Sequence, residues 1–143
     1  MKNRRFNLIV LVLLVFATSL LAGPNKASRE IIEQNYIEGI NSENLGLKVS
    51  SAYYLGEMKS QKAVIPLMAI LREDHSDGAR LAAALALIKI GDARGVYMVK
   101  RTIDFNDREK VRKLAKHLYS AYLHGDTKML AQSDVSYVYL ALN

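Results

Sequence analysis

Apolar positions between Leu45 and Leu123 recur at a fixed offset of 32 residues. Ser51, Ala83 and Ala115 share one slot, Leu55, Leu87 and Tyr119 a second, and Met58, Ile90 and Tyr122 a third. A basic residue opens each copy: Lys48, Arg80 and Arg112. Such a period marks stacked helical units, each too small to bury its apolar face alone. Within a copy the spacing predicts two helices: Leu45–Met58 and Lys62–Arg72 in the first, Ala79–Ile90 and Ala93–Ile103 in the second. Val64/Val96, Leu67/Val99 and Leu71/Ile103 match across the second helices. A third copy opens with Arg108–Leu123, and its turn His124-Gly125-Asp126 echoes Ile90-Gly91-Asp92 with two residues inserted.

Polar clusters separate these helices. Pro66 falls in the opening turn or so of its helix, where the amide it lacks has no intrahelical acceptor. Ser76 or Asp77 is placed to cap the next. Upstream, Ile32, Tyr36 and Ile40 form a stripe on a helix expected to follow Ser28 as its N-cap. Helix Ala79–Ile90 has almost no polar face, so it is expected to be covered on both flanks. Tyr54 is expected in the core, with Tyr53 exposed. A short helix is expected at Thr127–Gln132. The tail alternates Val135, Tyr137, Tyr139 and Ala141 with Ser136, Val138 and Leu140, which fits a strand or a capping helix.

The N-terminus has a different design. Lys2, Arg4 and Arg5 precede an uncharged run from Leu8 to Ala22, 15 residues against the ~20 that span a bilayer. That is the secretory signal pattern, with cleavage expected after Ala22 and a linker at 23–27. The alternative is an uncleaved anchor. Cleavage lowers the net charge from +6 to +3, which argues against nucleic acid as the partner. The remaining 28–143 is one helical domain, exported to a periplasmic or extracellular location, with no stable membrane insertion after cleavage. There is no cysteine, so packing alone must hold it.

The second copy reads A-R-L-A-A-A-L-A-L-I-K-I-G-D-A-R-G-V-Y-M-V; the first reads L-K-V-S-S-A-Y-Y-L-G-E-M, then A-V-I-P-L-M-A-I-L. These resemble HEAT repeats, in particular the short bacterial class also seen in phycobilin lyase subunits. Val111-Arg112 and Leu55-Gly56 match the family pattern well; Ala79-Arg80 and Ile88 match it loosely. The resemblance covers Ser28 to Leu123. It implies an all-α fold, a short right-handed α-solenoid of about three repeats, and a scaffold for contacts with another protein or a peptide. A lyase-like or enzyme-associated subunit is the alternative.

No residue pattern points to catalysis or a cofactor. His75, His117 and His124 lack the spacing of a metal set. Asp74 and Asp77, and Asp104 and Asp107, recur near matching turns, as caps would. No glycine-rich phosphate loop or nucleophile elbow is present. For Lys48, Arg80 and Arg112 two readings stand: a ladder tying copies together, which is favoured, and a basic stripe for an acidic ligand. In HEAT-like families, the arginine at this slot commonly has the ladder role. Eight tyrosines without a tryptophan suggest an interface. Tyr53, Tyr97, Lys100 and Arg101 are the candidate partner-binding residues, off the repeating apolar slots.

Overall fold

The computed structural model describes residues 26–126, and these are helical apart from short turns. The signal segment 1–22, the Thr127–Gln132 helix and the tail lie outside the described residues. The chain divides into two compact units, Met1–Ile32 and Glu33–Asn143. The helices are α1 (Lys26–Gly39), α2 (Leu45–Glu57), α3 (Val64–Glu73), α4 (Asp77–Ile90), α5 (Ala93–Phe105) and α6 (Glu109–Leu123). A 3-10 turn, Gln61–Ala63, leads into α3. The described part of the first unit is the opening of α1. Lys26 and Ala27 are therefore helical rather than linker, and Ser28 lies inside the helix instead of capping it.

In the second unit, α4 is the central element. It packs against α2 and α6, and against α3 and α5; α3 also touches α5, and α5 touches α6. Every residue of α4 except Asp77 and Lys89 is buried. This is the physical reason for its nearly unbroken apolar composition. The surrounding core comes from matching slots: Val49, Leu55, Leu67, Leu71, Leu87, Val99, Val111 and Leu118 are each nearly or wholly excluded from water. Full burial of one such side chain contributes about 1.5–3 kcal/mol.

Small residues set how close the helices come. A Cβ placed on Gly56 would lie 2.9 Å from the Ala86 Cα, so α2 and α4 approach backbone to backbone there. Gly95 permits a similar approach to the Leu87 side chain.

The turns repeat as faithfully as the core. Before α2, α4 and α6, a side-chain oxygen accepts from the amide two residues on: Ser42 from Asn44 at 3.1 Å, Asp74 from Ser76 at 2.8 Å, Asn106 from Arg108 at 3.0 Å. Asn44 and Ser76 then cap α2 and α4 with their own side chains, accepting from Leu47 and Ala79. Arg108 takes the cap position of α6 without a side-chain cap bond, because arginine has no acceptor. After α2 and α4 the chain turns through a left-handed residue, Lys59 at φ 52° and Gly91 at φ 74°. Ser60 and Asp92 follow, each accepting an amide of the next turn.

Helix ends differ slightly from the expected ones. α4 begins at Asp77, because Ser76 is its cap. α5 continues past Ile103 to Phe105, which brings Phe105 onto a helix rather than into a turn. No helix among the described residues is long and apolar enough to cross a membrane.

Candidate functional site

The loops between copies gather the recurring cations. Lys48 Nζ meets the Asp74 carboxylate at 2.6 Å. Arg80 Nε donates to the Asp74 main-chain carbonyl at 2.6 Å. Its Nη1 reaches the Asn106 side chain at 3.3 Å and the Asp107 carboxylate at 2.8 Å. Arg112 Nη1 donates to the Asn106 carbonyl at 3.0 Å. Asp74 and Asn106, 32 positions apart, thus each take the preceding cation on the side chain and the following cation on the main chain. Where asparagine replaces aspartate the negative charge moves one residue on, to Asp107.

Burial pushes the Asp74 carboxyl up, but hydrogen bonds from Lys48 and the Ser76 amide outweigh it and hold the pKa below its ordinary value. The Arg80 guanidinium holds the exposed Asp107 carboxyl below its ordinary value as well. Asp77 pairs with Arg108 at 2.9 Å. Asp74, Asp77 and Asp107 are therefore each engaged with a cation.

Two open grooves border these loops, each about 500 Å³ in volume. Every residue lining the second except Met98 stands 32 positions after a residue lining the first. They are one feature of the repeat, made twice. Their chemistry is opposite. The first holds Glu43, Glu73 and Asp74 against Lys48, and His75 also lines it. The second holds Arg72, Arg80 and Arg101 against Asp107, with Phe105 where the first has Glu73.

The candidate partner-binding residues fall in two places. Tyr97, Lys100 and Arg101 are all exposed on α5, with Tyr97 62% exposed. Tyr97, Arg101 and Phe105 are four residues apart in sequence and so share one helix face. The Arg101 guanidinium rests over the Phe105 ring at 5.7 Å, and Phe105 is 77% exposed. Arg101 has no carboxylate partner among the described residues.

Tyr53 belongs instead to a cluster on α2. Its ring lies under Lys89 Nζ at 4.9 Å and meets Tyr54 edge-on at 5.3 Å, while Tyr54 stacks on Tyr36 at 5.0 Å. Lys89 also pairs with Glu57, 32 residues earlier. The expected order of burial is reversed here: Tyr54 is 46% exposed and Tyr53 half-buried. The repeat equivalents of Tyr54, Ala86 and Leu118, are buried. Tyr54 is partly open because its visible ring partners are Tyr36 and Tyr53 rather than the core.

Phe105 and Arg72 are functional candidates that sequence reasoning missed. Phe105 was hidden by ending α5 two residues early; its spacing of four from Arg101 was the available signal. Arg72 is the last basic residue of α3, and nothing in its local sequence marks it as groove-lining. Among the described residues no three histidine or acidic side chains converge as a metal set. No family model matches the chain, and no curated protein matches it significantly.

Proposed function

We propose that this protein is an exported, non-enzymatic scaffold: a short right-handed solenoid of HEAT-like repeats that holds a protein or peptide partner. The contacts of α4 with its equivalents α2 and α6, and of α3 with α5, support the stacked arrangement. The recurring cations are engaged with the loops, so ligand contact moves to side chains that depart from the repeat. The observation that carries the reading is the exposed face of α5 formed by Tyr97, Arg101 and Phe105. An aromatic, an arginine with no carboxylate partner among the described residues and a second aromatic combine large contact area with charge-directed hydrogen bonding.

The test is site-specific photo-crosslinking in cells, with the crosslinker at position 97 of the full chain. A discrete adduct that Arg101→Glu abolishes is the expected result. No adduct at position 97, 100 or 105 removes the scaffold reading on this face. Sequencing the mature N-terminus tests export: a start at Gly23 supports cleavage, and a retained Met1 overturns it.

A further inference from the structure

We infer that the two grooves read one extended peptide together, an acidic side chain entering the second groove and a basic side chain about three residues away entering the first. This rests on the scaffold reading and names the partner's chemistry. The grooves are adjacent, since consecutive residues at the end of α3 divide between them: Arg72 lines the second, Glu73 and Asp74 the first. Their signs are opposite, and the charges left over are complementary to a mixed-sign ligand. Glu43 in the first groove and Arg101 in the second have no oppositely charged partner among the described residues. Lys48 and Arg80, by contrast, are held in loop bonds at 2.6–3.3 Å and are not available to a ligand.

Spacing gives the register. Packed helices lie about 8–10 Å apart, so equivalent points on neighbouring copies are separated by roughly that distance. An extended polyproline II chain returns its side chains to one face every three residues, after about 9 Å. Residues i and i+3 of such a peptide therefore face the two grooves together. At the divide, Arg72 and Glu73 pair at 2.6 Å with both side chains more than half exposed. An exposed pair of this kind is weak and exchanges readily for ligand charges. In the second groove a carboxylate can take the guanidinium edge of Arg101, while Phe105 covers the peptide's aliphatic stem.

The experiment is fluorescence anisotropy of the full chain with labelled twelve-residue peptides of equal length. They carry Glu-x-x-Lys, Lys-x-x-Glu, glutamate alone, lysine alone, or neither. One polarity of the mixed pair is expected to bind at least about tenfold tighter than either single-sign peptide. Arg101→Glu and Glu43→Lys should each remove that advantage; both residues are exposed, and circular dichroism melts should be unchanged. Equal binding of the glutamate-only peptide overturns the two-groove inference in favour of a single basic groove. Binding of no peptide, or insensitivity to both substitutions, also overturns it. A position-97 adduct that forms while all peptides fail sinks this inference alone. Absence of any adduct at positions 97, 100 and 105 of the chain with Arg101 in place sinks the scaffold reading beneath it.

Discussion

Asp74 bonds Arg80 through its main chain and not its side chain: the Arg80 Nε lies 2.6 Å from the Asp74 carbonyl oxygen, while the carboxylate faces Lys48. One loop residue thereby joins the cations of two successive copies. Arg80 is the more committed of the two, with its side chain 8% exposed against 18% for Lys48. Hydrogen bonds to a charged group contribute about 1.5–3 kcal/mol, and removing a partner leaves the others unmet. Arg80→Ala is therefore expected to cost about 2–3 kcal/mol, and Lys48→Ala and Arg112→Ala less. Urea unfolding monitored by circular dichroism measures this. An Arg80→Ala midpoint equal to wild type removes the tie between copies.

Acid should loosen the same loops. Asp74 and Asp107 both have folded-state pKa values below the ordinary carboxylate value. A depressed carboxylate contributes stability that is fully present above its unfolded pKa, about 4. That contribution is lost as pH falls through the folded value. The melting temperature should hold from pH 7 to about 5 and fall below about 4. Asp74→Asn should lower the melting temperature at pH 7 and flatten the acid decline. An acid slope as steep in Asp74→Asn as in wild type would show that other groups set it.

The repeat, the helix count through α6 and the all-helical class were legible because apolar spacing is dictated by burial, and burial by the 32-residue copy. Ala83 and Leu87 occupy the core slots their pattern assigned. Burial at Tyr54 was not legible, because the same slot has different neighbours in different copies. Nor were the grooves. They arise where Arg72 from one copy meets Arg101 and Phe105 from the next, and no window of sequence contains that juxtaposition. Candidate residues on one helix face, Tyr97 and Arg101, could be read from spacing; their groove partner Arg72 could not.

Gly56 should tolerate no side chain. A Cβ there would stand 2.9 Å from the Ala86 Cα and 3.2 Å from its Cβ, and a backbone atom cannot swing aside. Gly56→Ala gains helix propensity, about 1 kcal/mol at most. It must also push α2 from α4, at about 1–3 kcal/mol for overpacking. Net destabilisation is expected, seen as a lower thermal midpoint. A higher midpoint would mean the two helices part without loss.

Lys59 holds the left-handed position that Gly91 holds in the next copy. A lysine there crowds its Cβ against the following carbonyl, at a cost of roughly 1–2 kcal/mol that glycine avoids. The side chain is exposed, so little packing is lost on removing it. Glycine's greater unfolded freedom returns part of the gain, up to about 1 kcal/mol. Lys59→Gly should therefore raise the midpoint slightly, by no more than about 1 kcal/mol of stability.

Ser51 tests whether the repeat's small-residue slot prefers an apolar group. Its side chain is 1% exposed, and its hydroxyl has no hydrogen-bond partner among the described residues. A Cβ on Gly39 would fall 2.2 Å from that hydroxyl, so the oxygen is enclosed against backbone rather than open to water. Leaving a buried hydroxyl unpaired costs about 1–3 kcal/mol. Ala83 and Ala115 fill the same slot in the other copies, each fully buried. Ser51→Ala removes one oxygen, opens a space smaller than a methyl group, and is expected to raise stability by about 1 kcal/mol. The opposite change in the centre, Ala83→Glu, buries an unpaired charge and should prevent cooperative folding. Urea titrations of both variants check the pair. A loss of stability in Ser51→Ala would show that the hydroxyl is satisfied in solution.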